Sequence, residues 1–157
     1  MIVLGVDPGS NVTGFGVIEV IGNKQRYVAS GKIKVVSSDF GRQLQQIYWG
    51  ISEVVTNHRP EEVAIEQVFM HNNANSALKL GQARGAAICA VVQGTTNIFE
   101  YSARQVKQAV VGYGNAEKAQ IQHMVKILLQ INNELQKDEA DALAIAICHA
   151  NSRRRLG

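Results

Sequence analysis

The chain has 157 residues, of which 46% are hydrophobic and 18% are charged. This length and composition fit one folded domain, residues 1–157, and exclude large two-domain machinery as well as intrinsic disorder. The longest apolar run, residues 85–92, falls far short of the ~20 residues that span a bilayer. No basic segment precedes Asp7, as it would in a signal peptide. We therefore expect a globular cytoplasmic protein with no membrane association.

The basic residues are unevenly distributed along the chain. The formal net charge is only +3, but residues 71–130 contain six basic residues and two acidic ones. Four of the 13 acids are assigned below to one metal site, which leaves nine acids against 16 basic residues. A basic surface around an acidic pocket fits a phosphodiester substrate, because lysine and arginine replace the counterions of a nucleic-acid backbone. The alternative is a solvated surface of mixed charge.

The first quarter of the chain predicts an antiparallel meander. Residues 1–6, 12–20 and 26–36 are rich in β-branched residues and are joined by short connections. The first segment ends at Asp7-Pro8-Gly9-Ser10, in which proline followed by glycine predicts a type II turn.

Helices and strands alternate after the meander. A helix is expected to begin at Ser37 or Ser38 and to end near residue 57, shortly before Pro60. The later elements are a strand at 62–68, a helix at 75–93, a strand at 97–101, a short helix begun by the capping box Ser102/Gln105, a helix from Asn115 to 130 and a helix at 137–151. This order predicts an α/β domain with a five-stranded mixed sheet flanked by helices.

Two carboxylates are expected at neighbouring strand ends. Asp7 follows the first strand, and Glu66 lies near the end of the apolar strand at residues 62–68. An ionised side chain in such a strand is costly to bury unless it has a partner or a metal ion. If the two strands are parallel neighbours, both carboxylates emerge at one edge of the sheet, where like charges need a cation.

Asp138 and Asp141 are three residues apart, on one face of the last predicted helix. The helix dipole favours acids in a first turn by ~0.3–1 kcal/mol, which accounts for either residue alone but not for Asp7 and Glu66. The four carboxylates together fit Mg²⁺ or Mn²⁺, which prefer oxygen ligands, and two such ions support phosphodiester hydrolysis by water. Zinc is disfavoured because the four histidines show no ligand spacing.

Five segments between residues 2 and 149 resemble, in order, the RuvC-type Holliday junction resolvases. They are Gly5-Val6-Asp7-Pro8-Gly9-Ser10 with Thr13-Gly14-Phe15-Gly16, Ala64-Ile65-Glu66-Gln67-Val68-Phe69, residues 76–85, Arg104-Gln105-Val106-Lys107 with residues 114–118, and Asp138-Glu139-Ala140-Asp141-Ala142-Leu143-Ala144. The resemblance implies an RNase H-like fold and an endonuclease that resolves Holliday junctions in DNA by paired symmetric nicks during recombination and repair. It also implies a homodimer and, as a partner, the RuvAB branch-migration complex.

The resemblance assigns roles to individual residues by position. It makes Asp7, Glu66, Asp138 and Asp141 the catalytic metal ligands. Phe69 matches an aromatic residue that stacks on a base near the crossover, and Lys107 and Lys118 match basic residues near the cleaved strands. Without the resemblance, Phe69 is explained more simply as core packing, and each lysine as part of a solvated helix face.

Small side chains recur every four residues in the predicted helix at 75–93. Ala77, Gly81 and Gly85 form a stripe that permits another backbone to approach closely. One explanation is tight packing against the chain's own sheet. The other, which the resemblance implies, is the interface of a homodimer with two symmetric active sites.

The sequence departs from the family pattern in two places. The loop Met70-His71-Asn72-Asn73 lacks an expected basic residue, and the chain ends soon after Arg153-Arg154-Arg155, which either contact DNA or belong to a frayed terminus. Two other functions remain as alternatives: a related nuclease that trims structured RNA, and a junction-binding module without catalysis. The segment around Glu66 and the helix at 76–85 argue against the first, and four acidic positions argue against the second.

Overall fold

The computed structural model describes residues 1–69 and 73–156, with only the backbone of residues 155 and 156. Its strands are β1 (Ile2–Asp7), β2 (Val12–Ile21), β3 (Lys24–Lys34), β4 (Glu62–Glu66) and β5 (Ile98–Tyr101). Its helices are α1 (Phe40–His58), α2 (Ala74–Val91), α3 (Ala103–Val111), α4 (Lys118–Leu128) and α5 (Lys137–Leu156). The predicted α/β domain with a five-stranded mixed sheet is therefore confirmed.

The sheet has the strand order β3-β2-β1-β4-β5. The first three strands form the expected antiparallel meander, whereas β4 runs parallel to β1 and β5 runs parallel to β4. Consequently the carboxyl ends of β1, β4 and β5 meet at one edge of the sheet. β1 and β4 are thus parallel neighbours, which is what the prediction that Asp7 and Glu66 lie side by side requires.

Helices cover both faces of the sheet. Leu4 and Val6 of β1 point to the layer formed by α1 and α2, and Val63 and Ile65 of β4 do the same. The alternate residues Val3 and Ala64 point to the layer formed by α3, α4 and α5. By this alternation, the side chains of Asp7 and Glu66 belong to the α5 side of the sheet.

The turn after β1 differs from the expected type II turn. Gly9 does not adopt the positive φ that such a turn requires at its third position. Instead, the Thr13 side chain donates a hydrogen bond to the carbonyl of Gly9 (3.3 Å) and accepts one from its N–H (3.4 Å). A Cβ at Gly9 would overlap the carbonyl oxygen of Val12, so glycine is needed here for space.

Two helices begin later than their serine or asparagine signals predict. The N-cap of α1 is Asp39, which accepts a hydrogen bond from the N–H of Arg42 (2.9 Å), while Ser37 instead accepts one from the N–H of Asp39 (3.1 Å). The N-cap of α4 is Glu117 and not Asn115, because the Gln120 side chain accepts a hydrogen bond from the N–H of Glu117 (2.8 Å). In both cases a nearby polar residue competes successfully for the cap position.

Tertiary contacts shift two other boundaries. β4 ends at Glu66 rather than at residue 68, because β5 ends at Tyr101, whose carbonyl accepts the last bond from Gln67 N–H (2.9 Å). The last helix continues to Leu156, beyond the predicted end at residue 151. Arg153 pairs with Glu62 (3.1 Å) and Arg154 donates to the carbonyl of Asn23, and these contacts hold the helix end against the sheet.

In the part of the chain that the structure describes, no helix is both long enough and apolar enough to cross a membrane.

Candidate active site

Three glycines let the N-terminal half of α5 lie directly on the sheet. A Cβ at Gly5 of β1 would overlap the carbonyl oxygen of Ala142, and one at Gly14 of β2 would overlap that of Asp138. A Cβ at Gly16 would lie 2.7 Å from the side chain of Leu143. Without these glycines the helix would have to move outward, and its acidic first turn would leave the end of β1.

The sheet edge and α5 bring three of the four predicted carboxylates to one cavity of about 310 Å³. Asp7 from β1, Glu66 from β4 and Asp141 from α5 line it together. Asp138 does not line the cavity, but it lies close enough for its charge to act on Asp7 and Asp141. The grouping expected from the sequence is therefore found for three residues, with the fourth beside them.

The remaining acid of the first turn of α5 has a structural role. Glu139 accepts hydrogen bonds from the Ser30 side chain (3.1 Å) and from the N–H of Gln136 (3.0 Å). Its carboxylate therefore ties α5 to β3 and satisfies a free backbone donor at the helix start. Glu139 therefore has a structural role that Asp138 and Asp141 do not share, although the three acids are close together in the sequence.

Both predicted lysines line the same cavity. Lys107 comes from α3, and Lys118 is the first residue of α4, with its Nζ 3.8 Å from Oδ2 of Asp141. The Lys118 side chain is 64% exposed, so this ion pair is weak and its ammonium group is accessible to a ligand. The cavity thus combines acidic ligands with two cationic groups at its rim.

Burial raises the pKa of all three carboxyls that line the cavity. For Asp7 burial is the largest cause, and the charges of Glu66 and Asp141 add to it, so that its pKa rises from 3.8 to about 7. Burial and the charge of Asp141 raise the pKa of Glu66, and burial raises that of Asp141. Lys118 lowers the pKa of each of the three. Buried carboxyls that repel one another favour a bound cation.

The donor set fits a hard divalent cation. The cavity lining contains carboxylate oxygens but no histidine or cysteine among the described residues, which suits Mg²⁺ or Mn²⁺ better than zinc. Among residues 1–69 and 73–156, no group of three or more His, Cys, Asp or Glu side chains is close enough together to form a complete metal site. The fit therefore rests on the chemistry of the donors and on their shared cavity.

The other predicted site residues lie outside this cavity. Phe69 stands three residues beyond Glu66 with 59% of its surface exposed, which disagrees with ordinary core packing. On α2, Gly81 and Gly85 face open space, since a Cβ at either would meet no atom within 4 Å. At Gly81 and Gly85 the stripe therefore does not pack against the chain's own sheet. Most of the loop that lacks a basic residue, at 70–72, is outside the described residues.

One residue that contacts this site is not among those predicted from the sequence. Arg84 of α2 donates a hydrogen bond from Nε to the backbone carbonyl of Glu66 (3.4 Å) and pairs with Glu100 of β5 (3.0 Å). The available signal was an arginine within a helix segment of small residues, between Gly81 and Gly85.

Known proteins are similar to this chain in sequence and in fold. The family model described as "Crossover junction endodeoxyribonuclease RuvC" matches residues 3–149. Proteins with that name are 56% identical in Legionella pneumophila (99% of this chain, 90% of the relative) and 57% identical in Cronobacter sakazakii (96% and 87%).

Solved structures agree with the sequence relatives. The structure titled "T. thermophilus RuvC in complex with Holliday junction substrate" matches with a TM-score of 0.91 and 34% identity, over 99% of this chain and 96% of that chain. The yeast mitochondrial resolvase Ydc2, at 14% identity and a TM-score of 0.70, shares the fold alone, over 98% of this chain and 79% of that chain. The expected RNase H-like fold is thereby confirmed. This chain belongs to the RuvC family of crossover junction endodeoxyribonucleases.

Proposed function

We propose that this chain resolves Holliday junctions by cutting two symmetric DNA strands at the cavity formed by β1, β4 and α5. The observation that carries the proposal is the meeting of Asp7, Glu66 and Asp141 with Lys107 and Lys118 in that cavity. The Thermus thermophilus relative, 34% identical over nearly the whole chain, was solved with a Holliday junction substrate. The RuvC family is one of metal-dependent nucleases, which agrees with an acidic cavity.

In the proposed site, Asp7, Glu66, Asp138 and Asp141 hold two Mg²⁺ ions, with Mn²⁺ as a substitute. Bound divalent ions supply an activated water and stabilise the leaving oxygen of the phosphodiester. The carboxylates must be ionised for this role, and Lys118 helps because it lowers the pKa of three of them. Lys107 and Lys118 also face the cavity with positive charge, which suits contacts to the phosphates beside the cleaved bond.

Phe69 is proposed as a DNA contact close to the cleaved bond. It follows β4 by three residues and has 59% of its surface exposed, an area that a nucleobase could contact. Base stacking on an aromatic ring is worth ~1–3 kcal/mol and does not depend strongly on sequence. This contact would hold an unpaired base at the crossover beside Glu66.

The proposed homodimer uses the exposed face of α2. Ala77, Gly81 and Gly85 form the stripe of small residues, and Leu78 beside them is 64% exposed. A two-fold axis through this face would present two cavities to two strands of opposite arms of the junction. Action with RuvAB and a cytoplasmic location belong to the same proposal through the family relationship.

The test is cleavage of a mobile synthetic four-way junction in Mg²⁺, beside a linear duplex of the same sequence. We expect paired symmetric nicks in the junction and an intact duplex. Glu66→Gln and Asp141→Asn should reduce nicking about 100-fold or more, since metal ions supply several kcal/mol to such transition states. Both variants should still bind the junction in EDTA. The matched control is Glu134→Gln, an exposed acid ahead of α5, which should cut normally.

Other outcomes would identify the alternatives. Cleavage of structured RNA in place of the junction would indicate the RNA-trimming branch of the superfamily. Tight junction binding with no cleavage in Mg²⁺ or Mn²⁺ would indicate a binding module. Normal nicking by both acid variants would remove the cavity from the mechanism.

A further inference from the structure

We propose that Arg84 is a positioning residue that holds the end of β4, and with it Glu66, from the opposite face of the sheet. Arg84 thereby makes the metal-binding geometry depend on helix α2. This inference rests on the proposed role of Glu66 as a metal ligand. Arg84 itself lies outside the catalytic cavity and is not among the residues that line it.

The contacts of Arg84 converge on the end of two parallel strands. Its Nε donates to the backbone carbonyl of Glu66 at 3.4 Å, and its Nη2 lies 3.0 Å from Oε2 of Glu100. The second contact is an ion pair without the angle of an aligned hydrogen bond. Only 19% of the Arg84 side chain is exposed, so the guanidinium is largely enclosed between α2 and the sheet.

Arg84 and the cavity lie on opposite sides of the sheet. Glu100 lies two residues after Ile98 on β5, so the two side chains share one face of the sheet. Ile98 packs in the core between the sheet and helices α1 and α2, and Glu100 therefore lies on the α2 side. The carboxylate of Glu66 points to the α5 side, where Asp141, Lys118 and Lys107 are the charges that affect its pKa. Arg84 therefore contacts the backbone of Glu66 from behind, while the carboxylate remains available on the other side.

The end of β4 needs such a contact. β4 is the only described strand between β1 and β5, and regular pairing stops at Glu66, beyond which a single bond joins Gln67 N–H to the carbonyl of Tyr101. A carbonyl bonded to a charged donor is held more firmly than one bonded to water. The Arg84 contact thus fixes the backbone from which the Glu66 side chain extends.

The same helix carries the proposed dimer face. Arg84 lies between Gly81 and Gly85, whose Cβ positions face open space, while its own side chain turns inward. Because the Arg84 side chain contacts the backbone of Glu66, a displacement of α2 on binding a second copy would reach Glu66 through this side chain. Arg84 accordingly links the interface to the metal site without contacting substrate.

The experiment compares Mg²⁺ dependence with DNA binding for Arg84→Ala and Arg84→Lys. Groups that orient metal ligands typically change metal affinity by 10–100-fold when removed. We expect Arg84→Ala to raise the half-saturating Mg²⁺ concentration for junction nicking about tenfold, with junction affinity in EDTA unchanged within twofold. Arg84→Lys should give an intermediate value because it retains a charge but loses the forked donor. Lys79→Ala, an exposed cation on α2, is the matched control.

The outcomes separate this inference from the proposed function. If Arg84→Ala weakens junction binding in EDTA and leaves the Mg²⁺ requirement unchanged, Arg84 is a DNA contact and the inference is wrong. An unchanged Mg²⁺ requirement with unchanged binding also overturns it. If Arg84→Ala does not fold, Glu100→Gln, which removes the ion-pair partner, carries the test with a smaller rise in the same direction. Normal nicking by Glu66→Gln would instead refute the proposed function.

Discussion

Replacing Asp7 with asparagine should make the metal-free protein more stable, although it removes a proposed catalytic residue. Asp7 sits at the end of β1, where burial and the charges of Glu66 and Asp141 raise its pKa from 3.8 to about 7. At neutral pH and above, the folded protein therefore carries an ionised group that the unfolded chain accommodates more easily. Asparagine has nearly the same shape and no charge, so it removes the cost of burying a charge, which is the larger cause, together with the repulsion.

The magnitude follows from the pKa of Asp7. One pKa unit corresponds to ~1.4 kcal/mol, so the change from 3.8 to about 7 amounts to about 4 kcal/mol at pH 8. The folded state binds the proton more tightly than the unfolded state. The stability of the wild-type protein therefore falls as pH rises from about 4 to about 7 and levels off above. The advantage of Asp7→Asn should shrink to about 2 kcal/mol at pH 5.

The assay is thermal unfolding in EDTA at pH 5 and at pH 8, for the wild type, Asp7→Asn and the exposed control Glu134→Gln. For a chain of this size, ~4 kcal/mol corresponds to a rise of about 10 °C in the melting temperature at pH 8. Added Mg²⁺ should stabilise the wild type more than Asp7→Asn, because the variant lacks a ligand. The control should melt with the wild type at both pH values.

Two results would refute the reasoning about Asp7. One is an Asp7→Asn variant that melts at the wild-type temperature at pH 8. The other is a gain of equal size at pH 5 and pH 8, which would show that relief of ionisation is not its cause. Either result would mean that ionised Asp7 is well solvated in the folded protein and is not appreciably repelled by Glu66 and Asp141.

Two further variants test the lysine at the cavity and the face of α2. Lys118→Ala should move the acidic limb of the nicking pH profile to higher pH. The reason is that Lys118 lowers the pKa of Asp7, Glu66 and Asp141, which must be ionised to bind metal. The control Lys126→Ala, on the same helix, should leave the limb unchanged. Gly81→Arg should convert the proposed dimer to monomers in analytical ultracentrifugation, with the melting temperature nearly unchanged because a side chain there meets no atom of its own chain. A pH limb that does not move, or a dimer that persists, would contradict the respective proposal.

Much of the fold could be predicted from local patterns. Alternating β-branched residues indicate strands, and the capping box at Ser102 and Gln105 is present as expected. The same patterns place Asp7 and Glu66 at strand ends, where the parallel pairing of β1 and β4 makes them neighbours. These features are predictable because side-chain periodicity and helix caps depend on residues that are close in sequence.

Competition between nearby caps was harder to predict. Ser37 and Ser38 carry a helix-start signal, yet Asp39 takes the cap of α1, and Glu117 displaces Asn115 at α4. Each candidate has a suitable side chain, and the choice among them depends on how the incoming loop packs. The sequence predicts the helix, but the fold decides its first residue.

The sequence by itself determined the candidate site residues, the order of the elements and the faces of the strands. Only the tertiary structure decided that Asp141 faces the cavity while Glu139 ties α5 to β3, and that Arg84 reaches the backbone of Glu66 across the sheet. The close approach of α5 at Gly5 and Gly14 likewise joins segments that are more than 100 residues apart. Such contacts depend on how deeply distant elements pack, a quantity that no local pattern of residues encodes.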